Sequence, residues 1–190
     1  MNDIPLKSNV PSASGAVPAA LPAFEAQRLS ALRETAVLDT PTEQVYDDLT
    51  DLAAHICGTS IALISLVDEN RQWFKARVGL AAQETPRQLA VCAHAILEPT
   101  ELFEVPDTLL DPRFANNPLV VQSPSIRFYA GSPILSEEGL ALGTVCVIDR
   151  NPQVLTAAQR ASLCAIARLA SELMRLRRIE AQRPRTESCR

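Results

Sequence analysis

The 190-residue chain holds only six glycines, and they are scattered. No glycine-rich run is available to wrap a phosphate, so that kind of nucleotide loop is excluded. No stretch of 18 apolar residues occurs, which leaves no candidate transmembrane helix. The segment from Met1 to Leu21 lacks a charged start followed by a continuous apolar run, so it does not read as a secretory signal. There is no basic excess: 18 Lys and Arg stand against 22 Asp and Glu, a formal net charge of -4. A nucleic-acid partner needs a basic patch and is not expected, nor is a membrane partner. The five cysteines, Cys57, Cys92, Cys146, Cys164 and Cys189, are odd in number and no two have CxxC spacing. Neither a disulfide framework nor a zinc knuckle is expected; free thiols in a reducing cytoplasm fit. Asp47, Asp48 and Asp51 read as a solvated helix face, so no metal site is expected.

Hydrophobic residues make up 47% of the chain and charged residues 21%, ordinary globular usage for one domain plus tails. Residues 1–21 are rich in Pro, Ser, Ala and Asn and read as a disordered tail, and residues 181–190 as a second one. The domain with its flanking helices is expected over 22–180.

Within it, a first helix is expected over about Ala23–Ala36. A second starts at Thr40, with Pro41 at its first position, Glu43 completing a capping box and Gly58 as its stop. Ile61–Val67 is a short continuous apolar run, as in a strand covered on both faces. After the Asp68-Glu69-Asn70 turn, the strand Gln72–Val78 places Phe74, Ala76 and Val78 on one face and Trp73, Lys75 and Arg77 on the other. Thr85 to Gln88 repeats the capping signature before a short helix reaching about Leu97. A short strand at Leu102–Val105, a long loop from Pro106 to Ser125 and a hairpin of Arg127–Leu135 with Ala141–Ile148 follow. A third capping box, Thr156 with Gln159, opens the last helix, whose apolar stripe is Leu163, Ile166, Ala167, Ala170, Leu173 and Met174. Arg175, Arg177 and Arg178 are expected near its end, where the helix dipole favours cations. Hairpins between helices specify an α+β architecture.

The run Asp68 to Lys75, then Val78-Gly79-Leu80, Glu84 to Arg87, Val91 to Ile96, Asp111 to Phe114, Ile126 to Ile134 and Leu142 to Asp149 resembles bacterial GAF domains. The resemblance covers about Leu29 to Leu176. It implies a central antiparallel sheet of about six strands, with terminal helices on one face. On the other face it implies a pocket under the middle helix and long loop. It implies binding of a small molecule or service as a dimerising module, and coupling to histidine kinases, diguanylate cyclases or phosphodiesterases.

Candidate ligand-binding residues are Trp73, Cys92, His94, Arg127, Tyr129, Thr144 and Cys146. Arg127 shares a strand face with Tyr129 and Gly131, and an arginine there needs an anion. That anion is a ligand carboxylate or phosphate, or Asp107 or Asp111 pinning the long loop. Cys92 falls on the buried face of its helix with Leu89, Ala93 and Ile96, as a small hydrophobe or as a reactive thiol. A GAF subfamily reduces free methionine sulfoxide with two cysteines, but Pro124 to Tyr129, where the second belongs, holds none. Cys146 could substitute only if the fold brings it to Cys92. His94 reads as a polar residue on the outer side of its helix, hydrogen-bonded to a loop, or as a chromophore or haem contact. Trp73 either lines the pocket or covers the sheet, while Ser65, Thr144 and Cys146 are small enough to leave room for a ligand.

The resulting expectation is a cytoplasmic sensor that is not an enzyme and has no catalytic residues. It binds an unidentified small molecule and signals through its terminal helices to a homodimer partner, or to a kinase or cyclase acting in trans. The alternatives are a ligand-free dimerisation module and a thiol-dependent sulfoxide reductase. No cofactor is specified.

Overall fold

The computed structural model describes residues 15–183. The parts of the expected tails at 1–14 and 184–190 lie outside the described residues.

The elements are α1 (Glu25–Glu34), α2 (Gln44–Cys57), β1 (Ile61–Val67), β2 (Arg71–Val78), β3 (Glu84–Pro86), α3 (Val91–Ala95), β4 (Phe103–Val105), α4 (Pro118–Val121), β5 (Phe128–Leu135), β6 (Ala141–Asp149) and α5 (Ala157–Gln182). Among the described residues, six strands form one sheet in the order β3-β2-β1-β6-β5-β4. Every neighbouring pair is antiparallel. The α+β reading and the strand count expected from the sequence hold.

The sheet separates two apolar cores. Leu32, Leu49, Ala53, Ile64, Val145, Val147, Leu163, Ile166 and Ala170 pack on the face covered by α1, α2 and α5. Leu63, Phe74, Val91, Cys92, Phe114, Leu119, Tyr129 and Cys146 pack on the other, under α3, α4 and the long loop. Each fully buried Leu or Ile contributes roughly 1.5–3 kcal/mol. Continuous burial along β1 follows from this two-sided cover.

Two capping signatures behave as read. Gly58 ends α2 in a left-handed conformation (φ 65°), its N–H donating to the Ala54 carbonyl. Thr156 and Gln159 form the reciprocal capping box of α5.

The other two signatures do different work. β1 pairs Ile64 with Ala76 but Ser65 with Phe74, so Lys75 is the extra residue of a bulge. The bulge breaks the two-residue period: Trp73, Ala76 and Val78 face the helices, and Phe74 faces the opposite core. The Lys75 side chain is fully buried and donates to Thr40 Oγ1 (2.8 Å), the Pro41 carbonyl (2.7 Å) and Glu43 Oε1 (2.5 Å). An ammonium taken out of water needs these partners. Thr40 and Glu43 therefore satisfy Lys75, and α2 starts at Gln44 without a side-chain cap. Thr85, expected to cap a helix, instead pairs with Gln72 at the sheet edge, and a single 3-10 turn, Arg87–Leu89, precedes α3.

α5 runs on to Gln182, so its arginines do not sit at the helix end. They hold other elements instead: Arg177 pairs with Glu43, and Arg178 with Glu34 and Glu138. Arg28 of α1, 1% exposed, is paired by Glu25, which also takes Arg87 beyond β3. No helix among the described residues is long and apolar enough to cross a membrane.

Candidate functional site

The face away from α1, α2 and α5 holds a cavity of about 30 Å3, bordered by Leu63, Gln72, Phe74, Thr85, Val91, Cys92, Ile126 and Tyr129. A cavity needs about 10–15 Å3 per water molecule, so this one takes about two. Two of its polar walls are unsatisfied. Gln72 Oε1 and Thr85 Oγ1 are buried and have no hydrogen-bond partner. Buried polar atoms are normally paired, and these two are exceptions.

Two of the candidate residues, Cys92 and Tyr129, border this cavity, and Cys146 and Thr144 adjoin them. α3 carries Cys92, β5 carries Tyr129, and β6 carries Thr144 and Cys146. The Sγ atoms of Cys92 and Cys146 stand 3.7 Å apart, although 54 positions separate them in the chain. The Tyr129 hydroxyl donates to Cys92 Sγ at 3.2 Å and lies 3.5 Å from Thr144 Oγ1. The register explains the cluster. β5 and β6 pair Gly131 with Cys146, and β1 and β6 pair Ser65 with Thr144.

Burial pushes the Cys92 thiol up, but the polar groups of Cys146, Thr144, Tyr129 and Ser65 around it together outweigh burial and bring its pKa below the ordinary thiol range. Cys146 moves the other way, through burial and through the charge on Cys92. The two thiols titrate as a coupled pair, its first proton lost more readily than from an ordinary buried thiol. Tyr129 is raised by burial and by Cys92, so it stays a donor. Cys57 is the contrast: buried without such donors, its thiol is pushed up to about 11.

The other candidates lie elsewhere. Trp73 packs in the helix-side core, against the expectation that it lines the pocket, because the bulge turns it there. Arg127 precedes β5 and forms a two-bond ion pair with Asp107, Nε to Oδ1 at 3.0 Å and Nη2 to Oδ2 at 2.7 Å, which ties down the long loop. Asp107 is held below the usual carboxylate range by that arginine. His94 has Nε2 at 3.1 Å from the Val17 carbonyl and its ring edge-on to Phe114. Neither Gln72 nor Thr85 is among the ligand-binding candidates read from the sequence. A glutamine on a two-side-covered strand was the one available signal. Among the described residues no cluster of three or more His, Cys, Asp or Glu could hold a metal ion.

The family model for the GAF domain matches residues 41–173. A cyclic di-GMP phosphodiesterase of Pseudomonas aeruginosa is 45% identical over 132 residues, covering 70% of this chain and 22% of that protein. The chain thus spans about a fifth of the length of that relative. A type II free methionine-R-sulfoxide reductase from Thermoplasma acidophilum shares the fold at 16% identity and TM-score 0.57, over 75% of this chain and 94% of that one. So does the GAF domain of an Acinetobacter phosphoenolpyruvate-protein phosphotransferase, at 18% identity and TM-score 0.56, over 78% and 92%. The expectation that the chain is not an enzyme is corrected here. Its curated relative is named for a phosphodiesterase, and a reductase is built on the same fold. The segment before β5 holds no second cysteine, but the fold meets the condition set for Cys146 and brings it from β6 to Cys92.

Proposed function

Since the chain belongs to the GAF domain family, we propose that it is the regulatory domain of a cyclic di-GMP signalling enzyme. It takes a small ligand at the cavity beside Cys92 and passes the bound state through the sheet to α5. A second copy of the chain, or the catalytic partner, reads that state from α5.

One observation carries this reading. On β6, Cys146 belongs to the cavity-side core, while its neighbours Val145 and Val147 belong to the core under α5. A ligand that shifts β6 by a fraction of an ångström moves both faces together, because close-packed cores transmit strain. The ligand then favours one arrangement of α5 over another. The outer side of α5 exposes Leu169 and Leu176, seven residues apart, as in a helix that pairs with another helix.

A ligand-free dimerisation module is favoured by one feature, the small size of the cavity. The two readings separate in the host. Deleting the gene changes intracellular cyclic di-GMP, measured by mass spectrometry, if the domain regulates a phosphodiesterase. An unchanged level under every growth condition tried contradicts the proposal.

A further inference from the structure

We propose that Cys92 and Cys146 are a peroxide-reactive dithiol: hydrogen peroxide enters the cavity beside Cys92, and the pair closes to a disulfide that joins α3 to β6. This deepens the sensing reading by naming its ligand, and its regulatory consequence rests on that reading.

The geometry comes first. Both thiols are buried, and their sulfurs are 3.7 Å apart. A disulfide needs about 2.05 Å, so the two atoms must approach by about 1.7 Å in total. The hydroxyl of Tyr129 already points at Cys92. Donors that stabilise a thiolate raise its share at neutral pH, and the thiolate is the nucleophile.

The cavity then selects the oxidant. Its volume of about 30 Å3 admits a molecule of about two heavy atoms. Hydrogen peroxide has two. Ligands of ordinary size occupy pockets of roughly 300–1,000 Å3, so a sulfoxide of an amino acid does not fit this space.

The chemistry balances without an outside reductant. The Cys92 thiolate attacks one peroxide oxygen, a sulfur–oxygen bond forms and the oxygen–oxygen bond breaks. The leaving hydroxide takes up the proton that Cys92 had released and becomes water. The Cys146 sulfur then attacks the Cys92 sulfenic acid. The sulfur–sulfur bond forms, the sulfur–oxygen bond breaks, and the oxygen leaves with the Cys146 proton as a second water. Two thiols lose two electrons, and one peroxide becomes two waters.

The test uses the reduced full chain, treated anaerobically with hydrogen peroxide in stoichiometric steps, and non-reducing peptide mapping. The expected result is a Cys92–Cys146 cross-linked peptide and a loss of two thiols per peroxide consumed, with Cys57 and Cys164 still reduced. Cys146→Ser stops at a Cys92 sulfenic acid trapped by dimedone. Oxidation of Cys57 or Cys164 while the pair stays reduced overturns the proposal. So does oxidation of the pair by free methionine sulfoxide at a rate equal to that by peroxide. In either case the regulatory reading survives if the host's cyclic di-GMP still depends on the gene. If the pair closes but peroxide leaves cyclic di-GMP unchanged, the thiol chemistry stands and its regulatory role is overturned.

Discussion

The hydroxyl of Tyr129 rests in the space that a side chain at Gly131 would fill. The two residues are alternate positions on β5 and face the same way, so the missing Cβ of one gives the other its path to Cys92. Gly131→Ala is expected to lower stability by about 1–3 kcal/mol in urea denaturation, the usual cost of forcing extra volume into a packed core. It also displaces the hydroxyl from Cys92. An unchanged urea midpoint contradicts this packing.

The thiol pair is expected to titrate in two separated steps. Absorbance at 240 nm, which reports thiolate, should rise first below the ordinary thiol value of about 8.5. That first step disappears in Cys92→Ser and moves to higher pH in Thr144→Val, which removes a donor to Cys92. A first step that persists in Cys92→Ser assigns the acidic thiol elsewhere and contradicts the site.

Glu25 links α1 to the segment after β3 through Arg28 and Arg87. Burial pushes its carboxyl up, but the two arginines outweigh this and bring it from 4.5 to about 2. A folded value below the unfolded one means stability that is complete above about 4.5 and is lost as pH falls toward about 2. Glu25→Gln should cost about 3 kcal/mol at pH 7, because it leaves Arg28 buried and unpaired. The variant should also lose less stability than the parent between pH 7 and pH 3. Equal losses in both proteins contradict the assignment.

Leu169 and Leu176 are 55% and 48% exposed on α5. If they form a helix-pairing seam, the double variant Leu169→Glu, Leu176→Glu is monomeric at concentrations where the parent is a dimer by light scattering. Its urea midpoint is unchanged, because neither side chain is in the monomer's core. A parent that is monomeric at every concentration removes the seam.

The sequence made some of this legible and concealed the rest, for physical reasons. The alternation of Tyr129 and Gly131 against Phe128 and Ala130 is a local consequence of strand geometry and could be read directly. The α5 capping box is equally local. Trp73 was misplaced because a bulge at Lys75 depends on pairing with β1, which no period along β2 reveals. Thr40 and Glu43 carry a capping signature, yet a buried ammonium from 32 positions away claims Glu43. The meeting of Cys92 with Cys146 depends on where α3 lands on a sheet whose β1 and β6 are neighbours, a long-range fact absent from any local pattern.

Hydrogen exchange of the full chain, compared between the reduced form and the form with the Cys92–Cys146 bond closed, tests transmission through the sheet most directly. Altered protection in α5 between Leu163 and Met174, on the far side of β6, is the expected result. A change confined to α3 and β6, with α5 exchanging at the same rate in both forms, contradicts it.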